Sequence, residues 1–566
     1  MKKRKPKKRS QGDSKISNAY WITAIVTIIV GAILYYLMLP PLNISSVSSW
    51  LFFGGLFVFY VLVSCIANGM ATRTINDTKM LKQDKILFGC IGVGILIFII
   101  GGIASSKLFQ ASKFANLLQV EEYAFEEVVP QTKEINDIAL MDTASAQIVG
   151  DRAIGSLSDV VSQFVVGDNY SQIAWNGKPL KIASLEYAGF FKYLNNKSEG
   201  IPGYVAVDPV TNDAKYVQLE HKIQYTQSAY FGKDLYRKLR FSYPTAIFEG
   251  YHFEIDDEGN PYYICPIVKK TAGLFGAEDI KAVVIFNPVT GESEKYEVGQ
   301  IPEWVDRVYD GDLLQNQYDS YGTLQKGYWN SVFGKSGCKK TTEDYGYKVI
   351  GNDVWIYTGV TSVAGDESNI GFVLMNSRTK ESKYVSVAGA EEFSAMAAAE
   401  GQVQHLGYVA SFPSLVNIDG QPTYIMVLKD NGGLVKMYAM VNVEKYNLVA
   451  TGNTQAEVLS AYETLLHSSG MIQKEEVDLD VKPSKTIEIK EIQYVTVAGE
   501  TIVYIKDLEG NVYKQNFAEN ESLILLSVGD KIKVFFEEEE NGISTLYFFE
   551  LIAKNDVKGE NIVEEV

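Results

Sequence analysis

A chain of 566 residues exceeds one ordinary domain and can bury several cores. Its 35 tyrosines against 15 prolines favour strand-rich modules over flexible linkers. The net charge of −17 is split: residues 1–85 hold twelve Lys/Arg and three Asp/Glu, and the rest holds 40 basic and 66 acidic residues, which excludes nucleic-acid binding by that larger part.

Residues 1–18 form a basic tail, Lys2-Lys3-Arg4-Lys5-Pro6-Lys7-Lys8-Arg9 at its head, read as a topogenic signal rather than an RNA-binding arm. A three-helix transmembrane anchor is expected over 19–106. Its apolar stretches, 19–39, 50–70 and 86–105, are each about 20 residues long without a charge, which matches the thickness of bilayer hydrocarbon. Tyr20, Trp21, Tyr35, Tyr36 and Trp50 stand at their edges, where amphipathic rings suit the interface. A signal peptide is set aside, because the first run is too long, lacks a small-x-small cleavage site and is followed by two more spans. The loop 40–49 has no Lys or Arg, whereas the next carries Arg73, Lys79, Lys82 and Lys85. Positive-inside then places the N-terminus in the cytoplasm and everything after residue 106 outside a bacterial-type plasma membrane. Spans without an ionisable group read as an anchor, not an ion-coupled transporter. Gly54, Gly55, Gly89, Gly92 and Gly94 suggest close helix packing, expected first within this bundle and otherwise with other helices.

Residues 107–150 are expected to form a juxtamembrane stalk helix, with Glu121, Glu122, Glu126 and Glu127 on its solvated face. Beyond it a repeat appears over 151–470, in units of about 151–220, 230–300, 325–388 and 390–468. Its signature is an apolar strand, an Asx-x-x-Thr corner and a polar strand carrying Lys-Tyr. The copies are Asp208-Pro-Val-Thr211, Asn287-Pro-Val-Thr290, Asn376-Ser-Arg-Thr379 and a degraded corner at Asn442. The short Asx side chain caps the following backbone, and Gly or Asn accepts positive φ, so the reading is a hairpin corner and not a catalytic group. Each copy has a second hairpin upstream, of which Asn176-Gly177 and Asp419-Gly420 are two-residue turn signals. Helices precede most hairpins: 157–164 behind a Ser156–Asp159 capping box, 233–241, 391–404, and one capped by Thr454 and Glu457 that stops at Gly470. Helix, hairpin, then strand–corner–strand resembles PepSY-type modules, small α+β units of bacterial envelope proteins. The resemblance implies an interaction or inhibitory module, often without enzymatic function. After a charged linker at 474–485, five short strands over 486–553 suit an OB- or SH3-like β-barrel, for which acidic Glu537–Glu540 favours a protein contact or a capping role over nucleic acid.

No catalytic, cofactor-binding or metal-ligating residue is assigned. His221, His252, His405 and His467 lack metal spacing and read as surface or interface residues. Asp142-Thr-Ala-Ser145 resembles an aspartic-protease turn, but no second copy supplies the partner carboxylate. Gly334-Lys335-Ser336 lacks the first glycine of a P-loop, and Asp256-Asp257-Glu258-Gly259 reads as a hairpin tip rather than a calcium loop. The aromatics of 318–329 and 345–357 are expected in the core; exposed, they would stack on sugars or form an interface hot spot. Cys265 and Cys338 are free thiols or one disulfide. The expectation is a membrane-anchored α+β protein acting as a non-enzymatic scaffold or partner-binding protein of the cell envelope. The alternatives are a cell-wall-active enzyme and an accessory subunit of a transporter or sensor; ligand and oligomeric state stay open.

Overall fold

A computed structural model describes residues 11–72, 82–132, 138–155, 157–342, 344–363, 368–472, 482–497, 500–517, 520–537 and 542–554. The basic head to residue 10, Arg73, Lys79, Ser156, Glu538–Glu540 and most of the 474–485 linker lie outside them. The chain divides into two bodies, Met1–Val449 and Ala450–Val566.

The first body begins with α1 (Gln11–Met38), α2 (Val47–Thr72) and α3 (Lys82–Ala104). All three are long and apolar enough to cross a membrane, over Tyr20–Met38, Val47–Asn68 and Asp84–Ala104. Helices are the fitting form, because each satisfies its backbone polar groups internally. α2 packs against both α1 and α3. At one end Asp84 ties the three together: its Oδ1 accepts from Tyr20 Oη at 2.8 Å and from Asn68 Nδ2 at 3.4 Å. The glycines do not serve this packing. A Cβ built on Gly54, Gly55, Gly89, Gly92 or Gly94 meets nothing within 4 Å, which corrects the expectation that they draw this bundle together.

The stalk expectation for 107–150 is also corrected. After α4 (Lys107–Ala115), Val120–Tyr123 is a strand, paired in parallel with Ser382–Val385 more than 250 residues downstream. Val120, Glu122 and Tyr123 follow a sheet edge, and Phe125, Val128 and Val129 are buried in a sheet-to-sheet core. Tertiary pairing overrides the helical pattern here.

Four sheets follow, built on one plan. In each, a central long strand pairs with a hairpin strand and a very short strand on one side and with the next strand on the other. The central strands are Lys178–Tyr187, Pro261–Ala272, Asp353–Ser362 and Gln421–Lys429. Their hairpin strands are Ser171–Trp175, His252–Ile255, Gly346–Ile350 and Ser414–Ile418. The Asx corners join the last strands of the first three sheets. Asp208 Oδ1 accepts Val210 N–H at 2.9 Å, Asn287 Oδ1 accepts Val289 N–H at 2.9 Å, and Asn376 Oδ1 accepts Arg378 N–H at 2.8 Å. In the degraded copy Asn442 Oδ1 still accepts Lys445 N–H at 2.8 Å. The left-handed residue after each corner is Asn212 (φ 63°), Gly291 (φ 78°) and Lys380 (φ 68°).

The sheets pack face to face. Tyr263, Cys265 and Val284 of the second sheet meet Tyr204 and Val205 of the first. Ile264, Val283 and Ile285, on its opposite face, meet Ile356, Val373 and Met375 of the third. Trp355, Phe372 and Leu374, on the third sheet's far face, meet Tyr424, Met426 and Val441 of the fourth. Both faces of the middle sheets are buried, so their strands read as continuous apolar runs, and sheets rather than helices supply most of the cover. Helix Gly311–Leu324, not foreseen from sequence, wedges Leu313, Leu314 and Tyr318 into the second of these cores.

In the second body, helix Gln455–Ser468 is capped by Thr454, whose hydroxyl accepts Glu457 N–H at 3.1 Å, and Gly470 follows at φ 70°. Ser484–Val497, Glu500–Asp507, Val512–Asn516, Lys531–Glu537 and Ile543–Ala553 then pair in a closed order, with one parallel contact between the third and fifth.

Candidate functional site

A buried group of ionisable residues lies where the hairpin strands of the first three sheets meet, on the segment between the second sheet and helix Gly311–Leu324. Glu254, on hairpin strand His252–Ile255, is completely buried, and its carboxylate accepts Asp306 N–H and Arg307 N–H, each at 2.9 Å. Asp306, 2 % exposed, accepts Ala174 N–H of the first sheet at 2.7 Å. Arg307 donates from Nη2 to Asp310 at 2.8 Å and to Tyr347 Oη of the third sheet at 3.0 Å, and lies 5.2 Å from the Tyr347 ring. Asp310 also caps helix Gly311–Leu324 and stands 3.9 Å from His252 Nε2. One cluster therefore joins three sheets.

Enclosure sets its electrostatics. Burial pushes the Glu254 and Asp306 carboxyls up, and the Glu254 charge raises Asp306 further; the N–H donors and the Arg307 charge oppose the rise at Glu254. Burial and then Arg307 hold His252 well below its ordinary value, so it is neutral. Lys181, buried on the first sheet's central strand, is pushed down to about 8 by burial, opposed by Asp142. These features are those of a catalytic constellation. The access is not: Glu254 and Asp306, at 0 % and 2 % exposure, are closed to solvent, and Asp306 and Arg307 are bonded to the first and third sheets. The cluster is a joint.

The other residues singled out from sequence fall into structural roles. Asp142 opens helix Thr143–Gly155, accepting Ser145 N–H at 2.8 Å, and pairs with Lys429 of the fourth sheet. Asp256 caps its hairpin, accepting Asn260 N–H at 2.8 Å and Glu258 N–H at 3.1 Å. Lys335 ends a short π-turn, Asn330–Gly334, in the left-handed region (φ 49°). Cys265 and Cys338 are free, buried thiols. His221 and His405 are exposed, whereas His252 belongs to the joint. Among the described residues no group of three or more His, Cys, Asp or Glu is placed to hold a metal ion.

Two surfaces differ from this pattern. Most aromatics of 318–357 are core, as Tyr318 and Tyr357 show, but Trp329 is 64 % and Phe333 76 % exposed. Their rings stack at 5.8 Å and 12° across the π-turn. Between α2 and α3 an apolar groove of about 690 Å³ is lined by Trp50, Gly54, Gly55, Cys90, Gly94 and Phe98, so three of the five unpacked glycines line it. A second cavity of about 510 Å³ beside the first sheet holds Glu199 and Lys222, which neutralise each other at 2.7 Å.

No protein-family model matches the chain, and no curated protein matches it. Among solved structures, a mutant levansucrase of B. megaterium aligns at 9% identity over 78% of this chain and 97% of that one, with a TM-score of 0.16, a likeness too slight to carry an argument.

Proposed function

We propose that this protein is a membrane-anchored scaffold of the cell envelope, with its folded part on the extracytoplasmic side and a protein partner bound there. The observation that carries the reading is the stacked Trp329–Phe333 pair. Two large rings held in water by a tight turn are an energetic liability unless something covers them, and Trp is favoured at binding hot spots. The joint supports it from the other side, because its ionisable groups serve cohesion between sheets. The four sheets are read as PepSY-like interaction modules and 486–553 as an OB- or SH3-like barrel that makes a further protein contact.

The test is affinity recovery of the tagged full chain from crosslinked envelopes, beside Trp329→Ala/Phe333→Ala. A partner held by the parent and reduced at least about tenfold in the variant is expected. Equal recovery by both would refute the assignment of this surface. Protease shaving of intact cells tests the orientation: the folded part should be degraded and an N-terminal tag spared.

A second reading, accessory subunit of a larger membrane protein, is favoured by the groove between α2 and α3. The glycines in its lining let another helix approach closely. Gly54→Leu/Gly94→Leu should then abolish co-purification of that protein in detergent while leaving the Trp329-dependent partner in place.

A further inference from the structure

The folded part is fastened to α1 by two arginines of one short helix, Leu235–Ser242. Arg240 Nε donates to Leu39 O at 2.9 Å, and Arg237 Nε donates to Tyr36 O at 3.3 Å, with its guanidinium 4.2 Å from the Tyr36 ring. These carbonyls end α1, where no further turn supplies N–H donors for them and where cations are favoured. Helix Leu235–Ser242 therefore lies level with the edge of the bilayer that α1 spans. Phe241, 55 % exposed, continues the aromatic edge of α1, with its ring 6.2 Å from Tyr35 and 6.5 Å from Tyr36.

The same Arg237 also donates from Nη1 to Phe231 O at 2.6 Å. One guanidinium thus holds the Phe231 loop at the level of Tyr36. Phe231 is 54 % exposed and lies 6.4 Å from Phe190, which in turn lies 5.8 Å from Phe191, itself 77 % exposed. Beside these rings stand Lys233 and Lys238, both over Tyr225, at 4.3 and 5.7 Å. Segment 230–242 carries four Lys/Arg against one acidic residue, in a part of the chain where acidic residues prevail.

We infer that this aromatic and basic strip is a lipid-binding surface: Phe190, Phe191, Phe231 and Phe241 seat among the headgroups, and Lys233 and Lys238 bind the phosphates of anionic phospholipid. Three observations select lipid as the occupant. The strip is continuous with the end of a membrane-crossing helix. Its rings are exposed at the depth where amphipathic and aromatic side chains partition. Its charge is opposite to that of the domain that carries it, and an acidic domain approaches an anionic surface only through such a patch.

The experiment is hydrogen–deuterium exchange on the full chain in nanodiscs of phosphatidylcholine alone or mixed with phosphatidylglycerol. Peptides covering 186–198 and 228–242 should exchange at least about fivefold more slowly in the anionic discs, the effect expected of one or two lysines at a charged surface. Lys233→Gln/Lys238→Gln should remove that difference, and Lys233→Arg/Lys238→Arg should retain it, which separates loss of charge from loss of fold. Equal exchange in the two lipids, or a lipid effect that survives the glutamine variant, would overturn the proposal. The discs hold no partner protein, so the result is independent of the scaffold reading.

Discussion

Glu392 shows how a single buried carboxyl sets a pH dependence. It is fully enclosed, accepts Gly359 N–H at 2.5 Å, and is pushed up to about 7 by burial, against an ordinary value of 4.5. Below pH 4.5 it is protonated in both the folded and the unfolded chain. Between 4.5 and 7 the unfolded chain loses the proton first, so stability falls as pH rises across that window, by up to about 3 kcal/mol. Glu392→Gln should flatten this part of the profile in urea melts of the detergent-solubilised protein; a profile identical to the parent's would show that the carboxyl stays ionised. Gly276 presents a steric case. A Cβ there would stand 2.1 Å from Ser105 O, while Ser105 Oγ accepts Leu274 N–H at 2.7 Å and Phe275 N–H at 3.0 Å. Gly276→Ala should cost about 2 kcal/mol or more and loosen that hairpin, read as faster exchange of 272–277.

At the scale of elements, the corners and the joint make opposite demands on sequence reading. Asn376 is 1 % exposed, accepts two backbone N–H groups of its own corner and donates to Asp353 at 2.8 Å. Asp208 has only the local bonds, partly in solvent. Asn376→Ala should therefore destabilise by about 2–3 kcal/mol and Asp208→Ala by about 1, compared in the same denaturation series. Both corners were legible because donor and acceptor lie within three residues. The joint was not: Glu254 meets the backbone of Asp306 and Arg307 52 and 53 positions away. Glu254→Ala orphans two buried N–H groups and should cost about 3–5 kcal/mol. Helix Gly311–Leu324 escaped for another reason. It packs through small residues, since a Cβ on Gly311 would be 2.3 Å from the Tyr345 ring and one on Gly322 2.2 Å from Lys339 O, and these blur the apolar stripe that marks a helix. The strand Val120–Tyr123 is formed by a partner that no local pattern announces.

For the whole molecule, the three apolar helices were legible because bilayer thickness dictates their length regardless of what they pack against. The way the sheets cover one another was not, because continuous apolar runs fit a neighbouring sheet or a neighbouring helix equally well. The folded part meets the helices at separate places: Arg237 and Arg240 hold the end of α1, Pro244 O and Thr245 O accept Leu42 N–H at 2.7 Å and Asn43 Nδ2 at 3.0 Å from the loop before α2, and the hairpin around Phe275 holds Ser105 beyond α3, with the Phe275 ring 5.2 Å from Phe98 and 6.4 Å from Trp50. A body gripped at one point swivels freely; each further separated grip removes part of that freedom. Torque applied to the stacked sheets would therefore pass to the three apolar helices as rotation or tilt rather than being lost at a free joint.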